Sequence, residues 1–226
     1  MRIAGAAPEA APGRLRLVLA SNNAGKLAEL QALFAPLALD LVAQPSLGLS
    51  EAEEPHPTFV ENALAKARHA ALATGAAALA DDSGLCVDAL GGAPGVVSAH
   101  YASAEAAPGL DREARRRVQD VANNKRLLLE MADVADRRAA FVCTLVALCR
   151  ADDPQPLIAY GRLTGEILRQ PRGDGGFGYD PLMFIPDLGA TVAELRPELK
   201  NAHSHRAIAC RRLLALMREH WRVSDA

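Results

Sequence analysis

The order of apolar segments between residues 15 and 43 constrains the fold of this chain more than any other feature. Leu15 to Ala20 is a short apolar run that predicts a buried strand. Lys26 to Phe34 carries its apolar side chains on one helical stripe, and Pro36 ends that helix. Leu37 to Ala43 predicts a second strand. A strand, a helix and a strand in this order are typical of an α/β fold.

The remaining elements extend this pattern. The sequence predicts three further helices, at Thr58 to about Thr74, Asp111 to Met131 and about Ser204 to Trp221, and four further strands, at Ala76–Ala80, Leu85–Leu90, Ala139–Cys149 and Leu157–Leu163. Parallel and hairpin connections both occur, so we expect a mixed sheet bent into two lobes with a cleft between them. We expect residues 1–14 to be a disordered extension and residues 15–226 to form one domain.

Composition excludes several classes of protein. The formal net charge of −2 argues against a general nucleic-acid binder. No apolar run is long enough to span a bilayer, and the N-terminal residues lack the apolar core of a signal peptide. The four cysteines form no CxxC pair, which favours buried free thiols in a reducing compartment. We therefore expect a cytoplasmic protein that binds neither nucleic acid nor membrane.

The segment from Ala80 to Gly84 places two carboxylates, Asp81 and Asp82, at an expected strand-to-turn junction. Adjacent carboxylates are costly unless something compensates them, and oxygen ligands on a tight turn suit Mg²⁺, which usually arrives with substrate phosphates. The alternative is a solvated turn, since Asp, Ser and Gly are ordinary turn residues. Glu53 and Glu54 lie in an acidic loop that could supply more oxygen ligands, or could simply be solvated.

Two segments have the composition of anion sites. Ser21 to Lys26 lies between a strand and a helix, where backbone N–H groups attract anions and a lysine is unfavourable unless an anion is near. This favours a phosphate cradle, with an ordinary helix cap as the alternative. On the helix after Thr58, a polar face carries Asn62, Lys66 and His69, of which Lys66 could reach a phosphate or simply face solvent.

Two later segments could receive a flat, electron-rich ligand. Gly173 to Pro181 is glycine-rich, and in a chain with only 4% aromatic residues its Phe177 and Tyr179 are candidates to stack on a base. A strained turn with core aromatics is the alternative. Lys200 to Arg206 places cations at a helix start, where a bound anion or a purine edge would compensate them better than a surface ion pair.

Taken together, these segments resemble the inosine triphosphate pyrophosphatase family, also called Ham1-like or non-canonical purine NTP pyrophosphatases. The resemblance covers about Leu15 to Met217. It rests on six motifs in the family's order: Ser-Asn-Asn-x-x-Lys, Thr-Phe-x-Glu-Asn-Ala, Ala-Asp-Asp-Ser-Gly-Leu, Gly-Gly-x-Pro-Gly, Gly-Phe-Gly-Tyr-Asp-Pro and Ser-His-Arg. Each motif is weak by itself, and the ordered set is highly specific.

The resemblance implies an elongated α/β fold with a central active-site cleft, a homodimer and a requirement for Mg²⁺. It implies hydrolysis of ITP, dITP and XTP to the monophosphate and pyrophosphate, which removes deaminated purines from the nucleotide pool. Glu53 and Asp82 would hold the metal, and Asp82 would also accept the proton of the attacking water. The substrate-binding residues would be Ser21, Asn22, Asn23, Ala24, Gly25 and Lys26 on the triphosphate, Ser83, and Phe177, Gly178, Tyr179, Asp180, Lys200, His205 and Arg206 around the base.

Two other functions remain open at this stage. A nucleotide pyrophosphatase of the Maf type would act on other modified or canonical nucleotides, but it would not need the Gly-Phe-Gly-Tyr-Asp and Ser-His-Arg pair. The second is a non-catalytic nucleotide sensor, which would not need a general base. The joint presence of Lys26, Glu53 and Asp82 argues against this function.

Overall fold

A computed structural model describes residues 14–105 and 107–225 of the chain. The expected N-terminal extension lies outside these residues except for Arg14. The fold is an open sheet with strand order β2-β1-β3-β4-β5-β6-β7 and accompanying helices. The strands are β1 (Leu15–Leu19), β2 (Leu39–Ala43), β3 (Ala77–Val87), β4 (Arg138–Leu148), β5 (Leu157–Ile167), β6 (Met183–Ile185) and β7 (Ala190–Thr191). The helices are α1 (Ala24–Phe34), α2 (Phe59–Thr74), α3 (Arg112–Glu130), α4 (Pro197–His203) and α5 (His205–Leu216).

The sheet is mixed, as the sequence predicts. β1 pairs in parallel with β2 and with β3, whereas β6 pairs antiparallel with β5 and with β7. Leu17, Val18 and Leu19 of β1 are fully buried. A strand that is buried on both faces has a nearly continuous apolar sequence, and this pattern predicts β1. The mixed α/β class is therefore confirmed.

Helix boundaries follow local capping chemistry. The hydroxyl of Thr58 accepts a hydrogen bond from the N–H of Glu61 and begins α2, and Gly75 ends it with a φ of +66°. Asp111 caps α3 in the same way, accepting from the N–H of Ala114 at 2.7 Å. Ser204 accepts from the N–H of Ala207 at 3.1 Å and begins α5. These three starting points agree with the sequence predictions.

The prediction of a turn at Asp81-Asp82-Ser83-Gly84 is wrong. These residues lie in the middle of β3, which runs without interruption from Ala77 to Val87. Asp81 and Asp82 are only 2% and 5% exposed. Turn-forming propensity is a weak preference that tertiary contacts override, and both carboxylates have partners in the structure. Because side chains alternate along a strand, the two carboxylates point to opposite faces.

The chain divides into two compact units. Among the described residues, the first comprises 14–81, 144–159 and 210–225, and the second 82–143 and 160–209, so the divisions fall within β3, β4, β5 and α5. The expected cleft between two lobes stays a prediction, as does the single domain. No helix among the described residues is both long and apolar enough to cross a membrane.

Each unit has its own core. In the first, Ala63, Ala67 and Ala70 form a stripe of small side chains on α2 that packs in one cluster with Val18 and Ala78 of the sheet. Small residues allow this helix to approach the strands closely. In the second, Leu127 of α3 and Met131, the residue just after that helix, share a cluster with Leu85, Val87 and Tyr179. The second core therefore fixes α3 beside the segment that contains Tyr179.

None of the four cysteines, all of which lie in the described part of the chain, forms a disulfide, as expected from their spacing. Cys143 and Cys210 are buried and Cys86 is half-buried, but Cys149 is exposed, so the expectation of a buried thiol is wrong for Cys149. Burial raises the pKa of the Cys86 thiol, which lowers its thiolate fraction.

Candidate active site

The proposed phosphate loop, Ser21 to Lys26, is a capped helix start in the first unit. The side chain of Asn23 caps α1 by accepting from the N–H of Lys26 at 3.1 Å, and the N–H of Asn23 donates to the Ser21 hydroxyl at 3.3 Å. Ala24 and Gly25 form the first turn of α1. Helix-start N–H groups are suited to a phosphate, so this part of the prediction is chemically sound.

Lys26 has a partner that the sequence did not reveal. Its ammonium group forms an ion pair with the carboxylate of Asp81, whose side chain is fully buried. A lysine in a first helical turn is unfavourable without a nearby anion, and Asp81 is such an anion. The placement of Lys26 is therefore explained without a phosphate. Lys66 of α2 pairs with Glu54 of the acidic loop.

The acidic loop is held by the polar face of α2. The side chain of Asn62, 2% exposed, accepts from the N–H of His56 at 2.9 Å and donates to its carbonyl at 3.1 Å. Nε2 of His69 lies 3.0 Å from the carbonyl oxygen of Ser50; because that oxygen only accepts, Nε2 is the donor. The polar face of α2, for which the sequence also allowed simple exposure to solvent, therefore holds the acidic loop at Ser50 and at His56.

Within this loop the glutamates differ. Glu51 accepts from the side-chain amide of Asn22 at 2.7 Å, and Glu54 pairs with Lys66 at 2.8 Å. Over residues 14–105 and 107–225, Glu53 has neither a hydrogen bond nor an ion pair, and it is exposed. Of the loop carboxylates, Glu53 is therefore the most available to a ligand, and its role as a metal ligand stays a prediction.

In the second unit, Asp82 and Ser83 follow one another on β3. The guanidinium of Arg206, only 1% exposed, donates to the hydroxyl of Ser83 at 3.1 Å. This contact joins two residues that the family resemblance places in the substrate site. His205, the neighbour of Arg206, stacks on the ring of Phe141 with centroids 5.1 Å apart.

The Phe177–Asp180 segment, called the base loop below, is brought together with Lys200. A carboxylate oxygen of Asp180 accepts from the N–H of Phe177 at 3.0 Å and from the ammonium of Lys200 at 3.0 Å. That ammonium also lies 4.7 Å from the centroid of the Phe177 ring. The loop therefore brings a half-buried aromatic side chain, a carboxylate and a cation into contact. Their role in binding a base stays a prediction.

Gly176 shows why this loop is rich in glycine. A Cβ atom at position 176 would lie 2.1 Å from a carboxylate oxygen of Asp180, and the residue has a φ of +75°. A side chain there would be strained and would displace the Asp180 carboxylate.

Sequence reasoning missed two elements of the site. Lys200 lies in α4, a short helix with Pro197 in its first turn, whereas we expected it in the segment before a single last helix; Pro197 was the available signal. Asp120 and Asn124 of α3 contact the backbone of Gly178. Their spacing puts them on one helix face, but nothing in the sequence says which loop that face meets.

The donor set fits Mg²⁺ better than a transition metal. The predicted ligands Glu53 and Asp82 offer carboxylate oxygens, the ligand type that Mg²⁺ prefers. No group of three or more His, Cys, Asp or Glu residues that could hold a metal occurs in the described part of the chain. Mg²⁺ is usually held by one or two carboxylates together with substrate phosphates, so a sparse donor set suits it. The pairing of Glu53 with Asp82 stays a prediction.

Comparisons with known proteins agree with the motifs. The model of the Ham1 family matches residues 17–216. A protein from Methylibium petroleiphilum named dITP/XTP pyrophosphatase is 69% identical over 207 residues, covering 92% of this chain and 99% of that relative. A protein of the same name from Leptothrix cholodnii is 64% identical over 212 residues, covering 93% and 100%.

A solved structure supports the same assignment. The structure of a HAM1 protein from Coxiella burnetii matches with a TM-score of 0.79 at 45% identity, covering 91% of this chain and 99% of that one. The six motifs, the mixed sheet and these relatives lead to one conclusion: this chain belongs to the Ham1 family.

Proposed function

We propose that this chain hydrolyses non-canonical purine nucleoside triphosphates (ITP, dITP and XTP) to the monophosphate and pyrophosphate, with Mg²⁺ as cofactor. The observation that carries the proposal is the base loop, in which Phe177, Asp180 and Lys200 form one contacting group. Relatives that cover nearly the whole chain bear the name dITP/XTP pyrophosphatase, which supports the same substrate class.

The reaction needs a base and charge compensation. Water attacks the α-phosphorus, the bond from that phosphorus to the oxygen bridging the α- and β-phosphates breaks, and pyrophosphate leaves with that oxygen. Asp82 accepts the proton of the attacking water and returns it to solvent. Glu53 and Asp82 would hold Mg²⁺, which when bound neutralises phosphate charge. The N–H groups at the start of α1, together with Lys26, hold the triphosphate.

Base selection follows from hydrogen-bond chemistry. Hypoxanthine and xanthine carry an oxygen acceptor at C6, where adenine carries an amino donor. N–H donors on Lys200, His205 and Arg206 would pair with the oxygen, whereas an adenine amino group would face donors and stay unpaired. His205 and Arg206 are 7% and 1% exposed, and unpaired polar groups are costly in a buried site.

The deciding experiment is a substrate panel with product identification. Purified protein with Mg²⁺ is given ITP, dITP, XTP, GTP and ATP, and the products are resolved by phosphorus NMR. We expect monophosphate and pyrophosphate, with kcat/KM for ITP or XTP at least about 100-fold above that for ATP. Release of orthophosphate, or no preference over ATP, contradicts the proposal. Absence of turnover with intact binding would indicate a nucleotide sensor instead.

The homodimeric state and the cytoplasmic location belong to the proposal through the family resemblance alone. Sedimentation equilibrium tests the first: a mass near twice the 23.9 kDa chain supports it, and the mass of one chain contradicts it.

A further inference from the structure

Helix α3 holds both backbone groups of one residue in the base loop. A carboxylate oxygen of Asp120 accepts from the N–H of Gly178 at 2.9 Å. The side-chain amide of Asn124 donates to the carbonyl oxygen of Gly178 at 2.9 Å. Residues four apart on a helix lie on the same face, so one face of α3 fixes Gly178 from both sides.

Fixing Gly178 fixes the two aromatic residues beside it. The N–H belongs to the peptide group shared with Phe177, and the carbonyl to the peptide group shared with Tyr179. Gly178 has a φ of +63°, a conformation in which the chain direction changes and which favours glycine. With both flanking peptide planes held, the directions of the Phe177 and Tyr179 side chains are set by α3.

The same loop has anchors at its other positions. The N–H of Phe177 donates to Asp180 at 3.0 Å, and the Tyr179 hydroxyl donates to the carbonyl of Ser98 at 2.9 Å. The carbonyl oxygen of Phe177 also accepts from the N–H of Asp180, at 3.3 Å. Without Asp120 and Asn124, the N–H and the carbonyl of Gly178 would lose the side-chain contacts that hold the peptide planes between these anchors. The other hydrogen bonds would keep the base loop folded without α3. The α3 contacts therefore mainly set the orientation of Phe177.

The α3 contacts have a cost that stability alone does not explain. Burial raises the pKa of Asp120, although its hydrogen bond from Gly178 and the nearby Arg116 act against that rise. The side-chain oxygen of Asn124 is buried, and it has no hydrogen-bond partner within residues 14–105 and 107–225. A buried acceptor without a partner is destabilising, so the Asn124 side chain is not placed there for stability alone.

We propose that Asp120 and Asn124 are positioning residues that hold the base loop in the orientation that selects the purine. The inference rests on the proposed function, because it assumes that Phe177 stacks on the base. It assigns to α3 a part in base discrimination and no part in holding the triphosphate.

The test compares variants on α3. Asp120→Ala and Asn124→Ala each remove one contact to Gly178. Asp120→Asn keeps a side-chain oxygen that can accept from the N–H of Gly178. Lys125→Ala, on the exposed side of the helix, is the control. For each alanine variant we expect KM for ITP to rise about tenfold with kcat changed less than about twofold, because the lost hydrogen bond orients the base only. Asp120→Asn and Lys125→Ala should stay close to wild type.

Product inhibition separates positioning from a general structural defect. Inosine monophosphate, which carries the base, should inhibit the two alanine variants about tenfold more weakly than wild type, whereas inorganic pyrophosphate should inhibit all variants equally. Equal loss of both, or a lower melting temperature with unchanged KM and unchanged preference for ITP over ATP, overturns the inference.

The failure of this inference is distinguishable from failure of the proposed function. The function fails if the wild-type protein shows no preference among purine triphosphates, whatever the variants do. In that event, binding of inosine monophosphate is measured by calorimetry: weaker binding to the alanine variants than to wild type still supports the inference, and equal or undetectable binding overturns it.

Discussion

At the scale of single residues, the ion pair between Lys26 and Asp81 could serve two functions. It compensates a buried carboxylate, and it also holds an ammonium group at the start of α1, where a phosphate would bind. A buried ion pair is weak evidence for stability, but removal of one partner leaves an unpaired buried charge. The two functions can therefore be separated by changing the residues singly and together.

Lys26→Ala should lower the free energy of unfolding by about 3–5 kcal/mol, because the side chain of Asp81 is fully buried and loses the ion pair with this ammonium group. The double variant Lys26→Ala, Asp81→Asn should recover most of that loss in chemical denaturation but should keep a raised KM for ITP. If the double variant recovers both stability and KM, Lys26 does not hold phosphate.

Asp82→Asn tests the proposed general base. The amide is nearly the same shape but cannot accept a proton, so turnover should fall by about 10²- to 10⁴-fold while nucleotide binding, measured by calorimetry with a non-hydrolysable inosine analogue, largely survives. Asp133 is an exposed carboxylate just after α3, and Asp133→Asn is the control. Near-normal turnover of Asp82→Asn would remove Asp82 from the mechanism.

Tyr179→Phe gives a pH-dependent prediction. The Ser98 carbonyl keeps a donor in Asn123 at 3.2 Å, so loss of the hydroxyl should cost only about 1 kcal/mol near neutral pH. Burial raises the pKa of Tyr179, as do the nearby Tyr101, Asp120 and Glu130, while Arg126 lowers it. The folded wild type therefore resists ionisation and loses stability as the pH rises above 10, the ordinary pKa of tyrosine.

Since phenylalanine does not titrate, the stability difference between wild type and Tyr179→Phe should narrow above pH 10. Urea denaturation at several pH values measures it. A difference that stays constant or widens over that range contradicts the burial of the hydroxyl.

At the scale of elements, the first turn of α5 rests directly on the backbone of β5. A Cβ atom on Gly161 would lie 1.9 Å from the carbonyl oxygen of His205 and 2.6 Å from the amide nitrogen of Ala209. Backbone atoms cannot rotate away as a side chain can, so any side chain at position 161 must move the helix that carries His205 and Arg206.

Gly161→Ala should lower the free energy of unfolding by about 1–3 kcal/mol through overpacking, and it should reduce kcat/KM for ITP because His205 and Arg206 shift. Thr164→Ala, on the exposed side of the same strand, is the control for both measurements. Retention of both stability and activity in Gly161→Ala would show that α5 can move away without consequence.

The elements that the sequence predicted correctly have local signals. β1, α1 and α2 are marked by an apolar run, an apolar stripe and the capping residue Thr58, all within short windows. The prediction failed for β3, because Asp81 and Asp82 have turn propensity and the partner that keeps Asp81 in a strand, Lys26, is distant in sequence. Long-range compensation of this kind leaves no local pattern.

In the candidate site, too, some residues were predicted from the sequence and others were not. Phe177, Asp180 and Lys200 were predicted from composition and family motifs, and the structure brings them into contact. Asp120 and Asn124 were not predicted, because α3 is a strongly polar helix on which many side chains could have met the base loop. The burial of α3 against Leu85 and Tyr179 decides which face does so, and that packing is not visible in one sequence.

At the scale of the whole molecule, neither compact unit is a continuous piece of chain. The first unit is assembled from three segments and the second from two, and the chain passes between them inside β3, β4, β5 and α5. A unit made of separate segments loses its loop closures when the other unit unfolds, so independent folding of either is unfavourable.

We therefore expect one calorimetric unfolding transition, with equal calorimetric and van't Hoff enthalpies, as for a single cooperative domain. The measurement is differential scanning calorimetry under conditions where unfolding is reversible. Two resolved transitions would contradict the prediction that residues 15–226 form one domain.

The uninterrupted course of β3 makes chain length, as well as residue type, a condition of the proposed chemistry. Ala77 pairs with Leu17 in a fixed register, and each added or removed residue between Ala77 and Asp81 would send every following side chain to the opposite face. Lys26 would lose Asp81, and Asp82 would leave the face on which it is proposed to act. Insertions and deletions are therefore expected in surface connections such as 149–156, whereas this stretch of strand should accept substitutions but no change of length.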